Sequence, residues 1–104
     1  MTSTWRDRKS LDFTAINDRA LQALPSLLAR WLPDGRQIGA EWVCRNPRRN
    51  DKRPGSFRIN VVTGRWADFA TDDRGGDVIS LAAFLANAGQ VDAARRLADM
   101  LGVW

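Results

Sequence analysis

Apolar residues recur at helical spacing in the first third of the chain and at strand spacing in its middle. Phe13, Ile16, Ala20, Leu21 and Leu24 stand three or four apart with polar residues between them. With Ser10 or Asp12 as an N-cap, they predict a helix. Pro25 interrupts that helix or starts a second one carrying Leu27, Leu28, Trp31 and Leu32, up to a turn at Pro33-Asp34-Gly35. Residues 10–35 therefore read as a helical packing layer. Residues 1–9, polar apart from Trp5, read as a flexible arm.

After the turn the period falls to two. Ile38, Ala40, Trp42 and Cys44 alternate with Gly39, Glu41 and Val43, predicting one short strand. Residues 45–55 carry two prolines, a glycine and two asparagines and read as a long exposed loop. Phe57, Ile59 and Val61 alternate with polar residues as a half-buried strand, and Thr63-Gly64 turns the chain into a partner strand over 65–69. A polar glycine turn over 71–76 leads to Asp77, the N-cap of a helix through Val78, Ile79, Leu81, Ala82, Phe84 and Leu85 that stops at Asn87-Ala88-Gly89. A last helix presents Val91, Ala94, Leu97, Ala98 and Leu101 on one face and ends at Gly102. The prediction is one α+β domain, with a small three-stranded antiparallel sheet packed between N-terminal and C-terminal helices.

The chain's 104 residues suit a single domain with one modest core. No apolar run approaches the ~20 residues of a membrane span. The first residues hold no apolar stretch of the kind a secretory leader needs, and one cysteine, Cys44, cannot close an internal disulfide. The expectation is a cytoplasmic protein with no membrane partner. Histidine and tyrosine are both absent. Without histidine or a second cysteine, one chain cannot assemble the usual four-ligand zinc site, a Ser-His-Asp system or a Cys-His nucleophile. No catalytic residue, metal or cofactor is expected. Asp68, Asp72, Asp73 and Asp77 fit no calcium loop and read as turn and cap residues, with Arg65 or Arg74 as ion-pair partner.

Charge is the more informative feature. The net charge is +4, and 14 of the 16 cations are arginines, the planar donor that suits phosphate and base stacking. Arg45, Arg48, Arg49, Lys52, Arg53 and Arg58 fall within fourteen residues opposed only by Asp51, so this window carries +5, more than the whole chain. Such a concentration makes a local field that an even scatter would not, and nucleic-acid phosphates are its natural counterpart. Trp42, Phe57 and Trp66 flank the loop and offer faces for base stacking. A solvated loop kept soluble by its charge, with the aromatics in the core, accounts for the same residues.

The order of features over residues 40–103 resembles the N-terminal zinc-ribbon domain of bacterial and phage DNA primases. The resemblance rests on Cys44-Arg45-Asn46-Pro47, Arg53-Pro54-Gly55-Ser56-Phe57 opening a strand, and Arg65-Trp66-Ala67-Asp68-Phe69. Gly75-Gly76-Asp77 before a helix and Leu97-Ala98-Asp99-Met100-Leu101-Gly102-Val103 at the end complete it. The variant with Asn-Pro, Pro-Gly-Ser-Phe and Trp-Ala-Asp-Phe is similar to primase-helicase proteins of phages, plasmids and other mobile elements. Of the four zinc ligands in that family only Cys44 has a counterpart. The histidine position falls in the Asn46-Pro47 region and the Cys-x-x-Cys pair in 67–73, so the resemblance implies a ribbon without its metal. Packing of Trp66 and Phe69, together with the helical layer, is expected to replace the zinc.

The resemblance further implies a non-catalytic accessory module of a replication system that contacts DNA, single-stranded or forked template above all. Arg45, Arg48, Arg49, Lys52, Arg53, Arg58 and Arg65 are the expected contacts, with Trp66 as a stacking platform. Any primase or helicase activity would lie in another domain or chain. The alternative is a protein-docking module that no longer binds DNA, meeting a primase, helicase or polymerase partner through aromatic anchors such as Trp5 and Trp104.

Overall fold

The computed structural model describes residues 11–49 and 53–103. The expected arm over 1–9, together with Lys52 and Trp104, lies outside the described residues. Two helices open the fold, α1 (Phe13–Gln22) and α2 (Leu24–Trp31). Five strands follow, β1 (Arg36–Ile38), β2 (Glu41–Cys44), β3 (Phe57–Asn60), β4 (Trp66–Asp68) and β5 (Asp73–Gly75). Helices α3 (Val78–Ala86) and α4 (Gln90–Leu101) close it.

The α1 helix starts where the Asp12 side chain accepts from the Ala15 N–H, and it stops at Ala23, after which Pro25 sits in the first turn of α2. Proline is tolerated there because the N–H it lacks would have no helical acceptor. At α3 the cap is reciprocal. The Asp77 carboxylate accepts from the Ser80 N–H at 2.8 Å, and the Ser80 hydroxyl answers the Asp77 N–H. Asn17 of α1 joins this cap from outside, donating to the Asp77 carboxylate and accepting from the Ile79 N–H. One side chain thus fastens the first helix to the start of the third. Asn87 and Gly102 end α3 and α4 in the left-handed conformation.

The sheet is an antiparallel meander in the order β1-β2-β3-β4-β5, two strands more than the alternation predicts. The apolar run over 38–44 is a hairpin rather than one strand. Gly39 takes φ +61, and Gly39-Ala40 reverse the chain so that Ile38 pairs with Glu41. The fifth strand arises from the polar segment 73–75, which pairs with β4 at the exposed sheet edge.

One face of the sheet carries the helices. Trp42, Cys44, Phe57, Ile59, Trp66 and Asp68 point to it, and all but the half-buried Trp42 are buried. The Trp66 ring packs at 4.8 Å on Phe84 of α3 and edge-on at 6.1 Å to Phe57, contacts worth about 0.5–1.5 kcal/mol each beyond their buried area. Its indole N–H donates to Ser80 Oγ at 2.9 Å. Gly75, opposite Trp66 in the register, must lack a side chain, since a β-carbon there would collide with both Trp66 Nε1 and Ser80 Oγ. Phe69, expected to share this packing, is 72% exposed because it falls in the turn after β4, and Val91, at the first turn of α4, is also exposed. Among the described residues no helix is long and apolar enough to cross a membrane.

Candidate nucleic-acid interface

The Arg-rich loop is held to the body of the protein by its own arginines. The Arg45 side chain and backbone N–H both reach the Asp34 carboxylate, at 3.2 and 3.1 Å. Burial alone would raise the Asp34 carboxyl, but these hydrogen bonds and the charge of Arg45 leave it below its ordinary value. Arg48 donates to the Phe84 carbonyl and the Asn87 side chain at the C-terminal end of α3, and its guanidinium lies 4.9 Å from the Phe84 ring centre. A cation there adds a second donor to the Phe84 carbonyl and meets the negative end of the helix.

Arg49 ends in the interior, 3.2 Å from the carboxylate of Asp68. Asp68 is fully buried, and it also accepts from the Asn46 side chain and the Ala70 N–H, each at 2.8 Å. Asn46, itself 1% exposed, accepts in turn from the Arg48 N–H. Burial would push the Asp68 carboxyl up. Hydrogen bonds from Asn46, Ala70 and Ser56 and the Arg49 charge outweigh it, so the group stays below the usual carboxylate range. This polar knot ties the loop after β2 to the end of β4. Beside it, the buried Cys44 thiol donates to the Phe57 carbonyl at 3.8 Å. Among the described residues no group of three or more acidic, cysteine or histidine side chains is placed to hold a metal ion.

The cations that converge do so on the sheet face turned away from the helices. Direct pairing puts Arg36, Val43, Arg58, Ala67 and Arg74 in one row across all five strands. With strands about 4.8 Å apart, successive arginines of this row stand about 10 Å from each other and the row spans about 19 Å. Arg58, Arg65 and Arg74, with Phe69, Asn60 and Glu41, surround a shallow pocket of about 370 Å³. Glu41 pairs with Arg58 at 3.1 Å, whereas neither Arg65 nor Arg74 has an ion-pair partner among the described residues. Ala67, the small residue between Arg58 and Arg74, leaves the pocket floor open.

Of the residues singled out in the sequence, Arg58 and Arg65 meet here. Arg45, Arg48 and Arg49 are spread over three structural contacts, and Arg53 is exposed on the loop. Lys52 lies outside the described residues. Trp66 also lines the pocket, but its ring is only 6% exposed and is held on the helical side by Ser80 and Phe84. The exposed aromatic beside the arginines is Phe69. Arg74 and Phe69 are the members of the site that the sequence reading did not assign to it. The register of β5 against β4 is the signal for Arg74, which is hidden while 71–76 is read as a turn.

No protein-family model matches the chain, and the curated proteins and solved structures compared with it yield no significant match.

Proposed function

We propose that the protein is a non-catalytic nucleic-acid-binding module that takes single-stranded DNA across the open face of its sheet. This is the accessory role implied by the resemblance to primase zinc-ribbon domains. The observation that carries the reading is the convergence of Arg58, Arg65 and Arg74 on one pocket beside the exposed ring of Phe69. Guanidinium groups supply bidentate contacts to phosphate, and an exposed phenyl ring supplies a face on which an unpaired base stacks, worth about 1–3 kcal/mol. A duplex hides its base faces and gains only the charge contacts, so a single strand is the favoured ligand. The Arg45, Arg48 and Arg49 side chains serve this site indirectly by anchoring the loop, on which Arg53 is exposed.

The same reading accounts for the polar knot. Cys44, Asn46 and Asp68 occupy the segments to which the resemblance assigns zinc ligands, and the Asn46–Asp68 hydrogen bond with the Arg49–Asp68 ion pair ties together the two segments a metal would have joined. Fluorescence anisotropy with labelled single-stranded and duplex oligonucleotides tests the function. Single strands are expected to bind more tightly than duplex, and Phe69→Ala is expected to narrow that preference. Equal affinity for both forms, unchanged by Phe69→Ala, would remove the base-stacking part of the proposal.

A further inference from the structure

Beside the arginine row, the open face of the sheet holds a second row of side chains. Ile38 pairs with Glu41 and Glu41 with Asn60, whose N–H donates to the Arg65 carbonyl at 2.7 Å. Pairing across neighbouring strands sets an exposed apolar group, a carboxylate, an amide and a guanidinium side by side. The two central groups are held in fixed orientations. The Asn60 side-chain oxygen accepts from the Val62 and Thr63 N–H groups at 2.8 and 3.0 Å, which leaves its Nδ2 to donate elsewhere. Arg58 donates through Nε to the Gly55 carbonyl at 2.9 Å and through Nη1 to Glu41 Oε1 at 3.1 Å. That chain of bonds places the carboxylate and leaves its Oε2 without a hydrogen-bond partner among the described residues. Glu41 and Asn60 both line the pocket, and β-carbons of directly opposed residues stand about 4.5–5.5 Å apart, so one planar group meets both.

The hydrogen-bonding pattern, rather than the charge, selects what this pair holds. A carboxylate accepts only, and the free end of the amide donates only. On its Watson–Crick edge guanine carries two adjacent donors, N1–H and the 2-amino group, next to one acceptor, O6. Adenine and cytosine present one amino group there and thymine one N–H, so each leaves a carboxylate oxygen unmatched. Building on the single-strand reading above, we propose that Glu41 and Asn60 select a guanine in the bound strand. The Glu41 carboxylate accepts from N1–H and the 2-amino group, Asn60 Nδ2 donates to O6, and Arg65 takes the adjoining phosphate. A duplex hides that edge in base pairing, so the contact is made to an unpaired guanine. The Phe69 N–H donates to the Ser56 carbonyl, and Ser56 lies four residues before Asn60, about 13 Å of extended chain. The base stacked on Phe69 and the guanine are therefore different nucleotides of one strand.

The probes are thymine oligonucleotides of about ten nucleotides that differ only at one central position, which holds guanine, inosine, adenine, cytosine or thymine. Each is titrated with the full-length protein and followed by fluorescence anisotropy. The guanine probe is expected to bind about tenfold more tightly than the all-thymine one, the size of a paired base contact. Inosine, which lacks the 2-amino group, should recover only part of that gain. Glu41→Gln should remove the guanine preference and leave all-thymine binding equal or tighter, because a negative charge leaves the site. Asn60→Asp keeps both turn hydrogen bonds but exchanges the donor for an acceptor, and it should erase the preference as well. Equal affinity for all five oligonucleotides, a preference for another base, or one that survives Glu41→Gln would overturn the proposal while strand binding stands. A loss on every oligonucleotide alike in Glu41→Gln would mark Glu41 as a support for Arg58 and also overturn it. Free deoxyguanosine monophosphate competing as well as the guanine probe would overturn it by assigning the pocket to a nucleotide. Binding of none of the five would overturn it together with the single-strand reading.

Discussion

Replacing Asp68 with alanine tests whether the polar knot holds the loop in place. The side chain is fully buried, so its loss cannot be repaired from bulk water. The buried Asn46 amide loses its acceptor at 2.8 Å, which costs about 1–3 kcal/mol, while the Ala70 N–H, on an exposed residue, loses one that water replaces in part. Arg49 also loses its carboxylate, though its side chain is 35% exposed and water recovers part of that. The total is about 3–5 kcal/mol, the range seen when one member of a buried pair is removed. A domain of this length has about 5–15 kcal/mol in all. Asp34→Ala is the control. It breaks an ion pair whose side chains are 48% and 30% exposed and should cost less than about 1 kcal/mol. Guanidinium unfolding followed by tryptophan fluorescence gives both values, and for Asp68→Ala the melting temperature should fall by about 15–30 °C. A loss below about 1 kcal/mol, or one no larger than that of Asp34→Ala, refutes the assignment of the knot as the fastening of the loop.

Three further outcomes follow from the packing and the knot. Gly75→Ala should destabilise the protein by about 1–3 kcal/mol, read from the denaturation midpoint, because its methyl displaces the Trp66–Ser80 hydrogen bond. Near-ultraviolet circular dichroism should show the change in the Trp66 environment, and an unaltered spectrum would contradict it. Stability should fall on acidification below about pH 4. The folded Asp68 carboxyl lies below its unfolded value of about 3.9, so its contribution is complete above that pH and disappears as pH drops through the folded value. Asp68→Asn should flatten this acid limb, and an unchanged limb would assign it to other carboxylates. Chelation with EDTA, or addition of zinc, should leave the melting temperature unchanged, since the Asn46 hydrogen bond and the Arg49 ion pair already join the loop after β2 to Asp68 of β4. A fall in melting temperature with EDTA would show a metal at work.

Much of the architecture is legible in the chain because its signals are local. Asp77 with Ser80, Pro25, Asn87 and Gly102 are cap and breaker residues whose chemistry acts within one turn. The β3–β4 hairpin is equally plain, since Phe57 and Ile59 keep strict alternation up to a turn in which Asn60 accepts from Val62 and Thr63. The split of 38–44 is hidden because Ile38 and Ala40 carry the apolar alternation through the turn, although Ile38, paired with Glu41, stands on the face opposite Trp42 and Cys44. The β5 strand is hidden because an exposed edge segment of Asp-Arg-Gly has no apolar side to betray it. The knot leaves a trace that composition alone conceals. Asn46 lies two residues beyond the inward Cys44, and Asp68 two beyond the inward Trp66, so both polar side chains fall in the buried phase. The loop arginines show the converse limit. Their density along the chain reports a local charge, but only the fold decides that Arg45, Arg48 and Arg49 meet Asp34, Phe84 and Asp68 while Arg58 and Arg65 join a distant Arg74.

The measurement that bears most directly on the central claim is the salt dependence of single-stranded oligonucleotide binding, compared between the wild type and the Arg65→Ala/Arg74→Ala variant. Each phosphate contact on a single strand contributes about −0.7 to the slope of log affinity against log salt, so the pair should lower its magnitude by about 1.4. The variant should bind more weakly while keeping the wild-type unfolding midpoint, because both side chains are exposed and neither has an ion-pair partner among the described residues. A folded variant with the wild-type slope and affinity would contradict the account and take the open face of the sheet out of nucleic-acid binding.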